Sequence, residues 1–132
     1  MLIRSFLFPS LKNAIILTIT FVVIICLGTL TPLPQKIDVP GSDKWHHFVA
    51  FAALVYPLAS ASKRYWLKII IFSLLLGASI EIIQPYVNRF GEMKDFFADS
   101  IGVFMGILLA AIAHKFRSVS YTHLRAHETP EH

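Results

Sequence analysis

Four apolar stretches make up most of this chain and leave few folds open to it. They cover about residues 14–30, 47–61, 66–87 and 96–113, and charged, proline or glycine residues separate them. A transmembrane helix needs about 20 mostly apolar residues, within a range of about 17–25. The pattern therefore predicts an all-α fold, an integral membrane bundle of four transmembrane helices formed by residues 1–117.

Composition supports a membrane protein over a soluble one. Hydrophobic residues make up 55% of the 132 residues and charged residues only 15%, against roughly 45–50% and about 25% in soluble domains. The 12 Lys and Arg residues form no basic stripe with interleaved aromatic residues, so no nucleic-acid partner is predicted. Cys26 is the single cysteine, which excludes an intrachain disulfide and a multi-cysteine zinc site.

The end of the chain differs in character from the rest. From Ser118 onward it shows no helical or strand period, and residues 121–132 resemble a translated sequencing-adapter read-through. Foreign segments are excluded from fold reasoning, so residues 118–132 are predicted to be a disordered, non-native tail. The tail carries three of the six histidines, and no metal-binding role is assigned to them.

The distribution of basic residues predicts the orientation of the four helices. The segments before the first stretch, after the second and between the fourth and the tail contain six basic residues, with Lys68 close by as a seventh, and the other two loops contain four. The side richer in Lys and Arg is usually cytoplasmic, so both termini are predicted to be cytoplasmic. The first stretch exceeds the usual 7–15 apolar residues of a signal peptide and lacks a clear cleavage site, which favours a membrane anchor.

Six ionisable residues lie at or inside the apolar stretches, where each is a functional-site hypothesis by default because charge is costly in a bilayer. They are Asp43, His46, His47, Glu81, Asp95 and Asp99. Under the predicted topology all six lie near the outer membrane face, and none lies near the cytoplasmic helix ends. The sequence therefore predicts one polar site that opens to the outside.

Helical spacing brings these polar residues and several glycines onto shared helix faces. Asp43 and His47 are four residues apart, and Gly77, Glu81 and Gln84 follow an i, i+4, i+7 pattern. The corresponding set on the fourth stretch is Asp95, Asp99, Gly102 and Gly106. Small residues let helices approach closely, so Gly77, Gly102 and Gly106 are predicted packing positions and the polar faces are predicted to meet inside the bundle.

The polar site has two main chemical interpretations. A carboxylate and a histidine can act as general base and acid, and this hypothesis makes Glu81, His47 and Asp95 the catalytic residues. Arg89 is suited to hold a phosphate or carboxylate. The other predicted binding residues are Gln84, Asp43, Lys44 and Asp99. Alternatively the groups form a structural hydrogen-bond network, with each bond worth roughly 0.6–2 kcal/mol. No metal and no cofactor are predicted, because no His-Glu-x-x-His spacing occurs.

Most of these residues also have a simpler interpretation. Asp43 and Asp95 are suited to cap helix N-termini. The two histidines and Arg89 are suited to an interface, with apolar stems packed and polar tips in water. Glu81 is hardest to explain in this way, because it lies about 9 Å below the outer helix end and needs a partner or a proton there.

The order of these residues resembles the VanZ-like membrane family. The matching segments are Asp43–Phe48, Glu81–Gln84, Arg89 and Asp95–Gly102, with Gly106 beyond them. His47 matches the family histidine, and the family often has Asn at the position of Asp99. The resemblance implies a small bacterial membrane protein, in a family whose namesake is linked to resistance to the glycopeptide teicoplanin. Some relatives carry a phosphotransbutyrylase label, which is not expected to apply to a site that faces outward.

These observations predict a multi-pass protein of the bacterial cytoplasmic membrane. We expect it to bind or act on a cell-envelope component or a glycopeptide, with a link to antibiotic resistance. The alternatives are an enzyme of envelope lipids with a Glu/His/Arg acid–base site, and a structural or assembly subunit without catalysis. The expected partners are the lipid bilayer and a lipid-linked or cell-wall ligand. The sequence does not specify an oligomeric state.

Overall fold

The computed structural model describes residues 2–31, 42–87 and 93–128, with side chains described within residues 3–31, 44–87 and 93–117. Within these ranges the protein is entirely helical, which confirms the all-α prediction. The helices are α1 (Leu2–Leu7), α2 (Leu11–Leu30), α3 (Ser42–Ala61), α4 (Trp66–Ile83) and α5 (Met93–Glu128). Short 3₁₀ turns precede and follow α4, at Lys63–Tyr65 and Gln84–Val87.

The helix boundaries follow the predicted stretches: α4 starts at the predicted residue, and α2, α3 and α5 start earlier than predicted. α2 begins at Leu11 because the Ser10 side chain caps it, accepting a hydrogen bond of 3.2 Å from the backbone N–H of Asn13. α3 begins at Ser42, five residues before the predicted start. It passes through Pro57 and ends at Ala61.

α5 extends well beyond the predicted end of the fourth stretch. It continues as a helix from Met93 to Glu128, through most of the segment that was predicted to be a disordered tail. That segment contains neither glycine nor proline before Pro130, so continuing the helix carries no large propensity penalty. The proposed foreign origin of residues 121–132 stays a prediction.

α3 is the central helix of the bundle and contacts α2, α4 and α5. Phe51, Leu54, Val55 and Ala59 on α3 are fully buried. In α2, by contrast, only Ala14 and Ile25 are buried. The exposed apolar side chains on α2 include Ile16, Ile19, Ile24 and Leu27. An apolar outer surface of this kind suits a bilayer, where backbone groups are satisfied within the helix.

In the part of the chain that the structure describes, three helical segments are long and apolar enough to cross a membrane. They are Leu11–Leu30, Lys63–Val87 and Met93–Arg117. α3 has 20 residues but is not among them, because its first two turns carry charged and histidine residues. The chain is therefore a multi-pass membrane protein with three candidate spans, and α3 contacts all three.

Two glycines on α5 bring its backbone against that of α3. A Cβ added at Gly102 would overlap the Phe48 carbonyl oxygen and would lie 3.2 Å from the Ala52 nitrogen. A Cβ added at Gly106 would lie 2.9 Å from the Ala52 carbonyl oxygen. Both positions were predicted as packing sites. We call this contact between α3 and α5 at Gly102 and Gly106 the glycine seam.

Candidate functional site

Four of the predicted site residues come together where α3, α4 and α5 meet, and we call this group the polar cluster: His47, Glu81, Asp95 and Asp99. His47 lies early in α3, Asp95 and Asp99 lie early in α5, and Glu81 lies near the end of α4. The helices alternate in direction, so these positions share one end of the bundle. His47, Asp95 and Asp99 are buried, with Asp99 fully so, and Glu81 is half-buried.

A short hydrogen bond joins the histidine to the deepest carboxylate of the polar cluster. The His47 ring N–H at Nδ1 donates to Asp99 Oδ1 at 2.7 Å. The other ring nitrogen of His47, Nε2, lies 3.9 Å from Asp95 Oδ2. Each ring nitrogen of His47 therefore faces a carboxylate of α5, and the ring orientation is fixed by the Asp99 contact. Orientation of a histidine by a carboxylate is common to acid–base sites and metal sites.

Glu81 completes the polar cluster from α4. One side-chain donor atom each from His47, Glu81 and Asp99 can be chosen so that all three lie within 4.8 Å of one another. Gly77, one turn before Glu81, makes room for this contact: a Cβ there would lie 2.9 Å from Asp99 Oδ2. The predicted shared face of Gly77 and Glu81 is therefore turned toward α5.

Gln84 contacts the end of α2. It is buried, and its side-chain amide donates to the Thr29 carbonyl oxygen at 3.1 Å. This bond joins the end of α4 to the end of α2, where Thr29 is one of the last residues whose carbonyl lacks a helical partner. Gln84 was predicted as a binding residue, and its described contact is structural.

Several other predicted residues lie outside the polar cluster or outside the described part of the structure. His46 is exposed, although it is next to His47 in the chain, and Lys44 is half-buried. Arg89 lies outside the described residues, as does the side chain of Asp43, so their predicted binding roles stay predictions. Lys94 is exposed at the same end of the bundle.

The opposite end of the bundle contains contacts that the sequence reasoning did not find. The Ala59 carbonyl oxygen accepts a 2.8 Å bond from the Trp66 indole and lies 2.7 Å from His114 Nε2. Tyr56 donates to the Leu7 carbonyl oxygen at 2.6 Å. These side chains satisfy carbonyl groups near helix ends.

An apolar groove of about 510 Å³ lies between α1, α3 and α5. Aromatic and aliphatic side chains line it, among them Phe6, Phe48, Tyr56 and Met105. No member of the polar cluster is among the described residues that line it. The groove and the polar cluster are therefore separate features of the bundle.

Comparison with known proteins identifies one family. A sequence model described as VanZ/LLP1 matches residues 8–114, which include every described member of the polar cluster and the glycine seam but not the tail. No match was found among the curated proteins or among the solved structures.

Proposed function

The chain belongs to the VanZ/LLP1 family, and from this premise we propose that it binds or acts on a cell-envelope component at the outer leaflet of the bacterial cytoplasmic membrane. The observation that carries the proposal is the gathering of His47, Glu81, Asp95 and Asp99 at one end of the bundle. Ionisable groups inside a membrane bundle are rare, and they commonly mark substrate sites, ion pathways or proton relays.

The proposed topology has four spans, with α3 as the fourth. α3 is as long as α2, at 20 residues, and a helix of that length extends about 30 Å, the thickness of the bilayer core. In its polar first turns His47 is buried, and it is hydrogen-bonded to Asp99 of α5. The end of the bundle opposite the polar cluster carries Lys63, Arg64, Lys115 and Arg117, which supports a cytoplasmic assignment for that end.

Cysteine accessibility in intact cells tests this orientation. On a Cys26→Ser background, we expect Lys44→Cys and Lys94→Cys to react with a membrane-impermeant maleimide. Lys63→Cys, which is also exposed, should react only after the cells are permeabilised. Labelling of Lys63→Cys in intact cells, with protection of Lys94→Cys, would contradict the outward-facing site. It would mean that the polar cluster opens to the cytoplasm.

The proposed ligand is a lipid-linked or cell-wall component, or a glycopeptide that binds such a component. Glu81 is the most accessible member of the polar cluster, since the other three are buried. A ligand group entering from the membrane surface would reach Glu81 first, and His47 and Asp99 behind it. Lys44 and Lys94 lie on the same end of the bundle and are suited to hold an anionic group of an envelope precursor.

Teicoplanin susceptibility is the direct test of the proposed function. We expect expression of the chain in a susceptible Gram-positive host to raise the minimum inhibitory concentration of teicoplanin, and His47→Ala to return it to the empty-vector value. His46→Ala is the matched control, because His46 is the exposed neighbour and should leave the effect intact. Immunoblots of membrane fractions establish equal accumulation. Equal activity of the His47→Ala chain would overturn the proposal.

An enzyme of envelope lipids is the second candidate, and the contacts of His47 favour it. His47 is oriented by Asp99 and has Glu81 within reach, the arrangement that general acid–base catalysis uses. Glu81→Gln keeps the shape of the side chain and removes its ability to accept a proton as a carboxylate. Loss of the teicoplanin effect in a Glu81→Gln chain that still binds labelled teicoplanin would favour catalysis over binding.

A structural role is the third candidate, and burial favours it. Asp99 is fully buried and His47 nearly so, and a hydrogen bond across α3 and α5 holds helices together without any ligand. In that case His47→Ala and Glu81→Gln chains would fail to accumulate in the membrane. No variant would then accumulate normally and still lose the teicoplanin effect.

A further inference from the structure

We propose that His47, Glu81 and Asp99 form a binding site for one divalent transition-metal ion. This inference goes beyond the proposed envelope function and can hold or fail independently of it. The three residues come from three different helices, α3, α4 and α5, so they form no short sequence motif. For this reason the site is not visible as a motif in the sequence.

The arrangement of the donor atoms carries the proposal. One imidazole nitrogen and two carboxylate oxygens lie within 4.8 Å of one another. In a tetrahedral zinc site, bonds of about 2.0–2.2 Å place ligand atoms roughly 3.4 Å apart. The three side chains would close on an ion by about 1 Å, a movement that rotation of the carboxylates supplies.

A second and independent observation concerns Asp99. Its side chain is about 1% exposed, and one carboxylate oxygen, Oδ1, is bonded to His47. The other oxygen, Oδ2, is buried and has no hydrogen-bond partner in the described part of the chain. A buried acceptor without a partner is costly in an apolar interior. An ion bound beside Oδ2 would satisfy it.

Gly77 keeps the space beside this oxygen open. Its missing Cβ would lie only 2.9 Å from Asp99 Oδ2, so any other residue would press on the carboxylate from the α4 side. The half-buried carboxylate of Glu81, one turn further along α4, faces the same region. The oxygen without a partner is therefore on the side from which Glu81 approaches.

The chemistry of the donors indicates the class of ion. Imidazole suits zinc, iron, copper and nickel, and carboxylates also suit manganese. A neutral imidazole and two carboxylates bound to a dication have no net charge, which an apolar bundle tolerates better than two free carboxylates. With His47 Nδ1 on the ion in place of its hydrogen bond to Asp99, the ring proton would lie on Nε2, which faces Asp95 Oδ2 at 3.9 Å. Zn²⁺ and Mn²⁺ are the probes that follow from this donor set.

The test measures metal directly in the purified full-length protein in detergent micelles. All versions carry Ala at positions 123, 127 and 132, which removes the tail histidines as adventitious ligands. After removal of metal with a chelator and reloading with Zn²⁺ or Mn²⁺, we expect elemental analysis to give about one ion per chain for one of the two probes, as one three-residue site requires. Asp99→Asn should weaken binding roughly tenfold or more, since even outer-shell changes cost about 10–100-fold.

The matched control is a histidine at the other end of the bundle. His47→Asn should lose the ion and His114→Asn should retain it, because His114 contacts only the Ala59 carbonyl oxygen and the Trp66 ring in the described structure. The melting temperature of the protein with the intact polar cluster should rise when the ion is added. This measurement does not depend on how the variants fold.

The outcomes separate this inference from the proposed function. Absence of stoichiometric Zn²⁺ and Mn²⁺ in the protein with the intact cluster, or retention of the ion by folded Asp99→Asn, overturns the metal site. Neither result bears on teicoplanin susceptibility, which is measured in cells. One ion per chain together with no change in susceptibility would support the metal site and overturn the envelope function.

Discussion

The Gly102→Ala variant is expected to lose at least about 2 kcal/mol of unfolding free energy, within the range that overpacking of a tight interface costs. The reason is that the added methyl group meets backbone atoms. It would overlap the Phe48 carbonyl oxygen and lie 3.2 Å from the Ala52 nitrogen, and neither atom can rotate away as a flexible side chain would. α3 and α5 would have to separate, and the contacts of the whole seam would weaken. Unfolding in mixed micelles by titration with SDS, followed by tryptophan fluorescence, measures the change.

The matched control for this loss is Gly28→Ala on α2. Nothing lies within 4 Å of a Cβ added at Gly28, and alanine is favoured over glycine in a helix by up to about 1 kcal/mol. This variant should therefore be as stable as the unsubstituted protein or slightly more stable. If Gly102→Ala were as stable as Gly28→Ala, the close approach of α3 and α5 would be wrong.

The second large effect is expected at the bond between His47 and Asp99. In metal-free protein, Asp99→Ala leaves the His47 N–H at Nδ1 without its 2.7 Å partner, and His47→Ala leaves the carboxylate of Asp99 buried without its donor. Each single change should destabilise the bundle, and the double change should cost less than the sum of the two. The coupling should be about 1–2 kcal/mol, at the upper end of what interhelical bonds in membranes give. SDS titration of the four chains in the cycle measures it.

A parallel cycle with His46 supplies the comparison. His46 is exposed and adjacent in sequence, so His46→Ala and Asp99→Ala should be additive. Equal coupling in the two cycles, or no coupling in the first, would mean that the His47–Asp99 bond does not hold α3 against α5.

The sequence alone predicted the positions of the helices that are apolar along most of their length. α2, α4 and the first part of α5 lie where the apolar stretches predicted them, because a bilayer imposes one length and one composition on a spanning helix. The first residue of α3 was harder to predict. The start of α3 at Ser42 falls among polar residues, which hydropathy does not mark as part of a helix.

The sequence predicted which residues form the polar cluster, but not which of them bond to each other. Helical spacing brought Asp95 and Asp99 onto one face, and Gly77 and Glu81 onto another. It gave no rotation of one helix relative to the next, so the hydrogen bond between His47 and Asp99 could not be predicted from spacing. Gln84 bonds a backbone carbonyl of α2, a partner that carries no side-chain signature in the sequence.

The position of α3 has a consequence for how the chain is made. In the proposed topology, the helix that is least able to enter lipid by itself leaves the ribosome before α4 and α5, the helices that cover its polar side. The backbone contacts at Gly102 and Gly106 can form only after α5 has been synthesised. α3 must therefore wait at the insertion machinery, or enter the bilayer late, together with α5. The glycine seam is then a condition of correct insertion as well as of later stability.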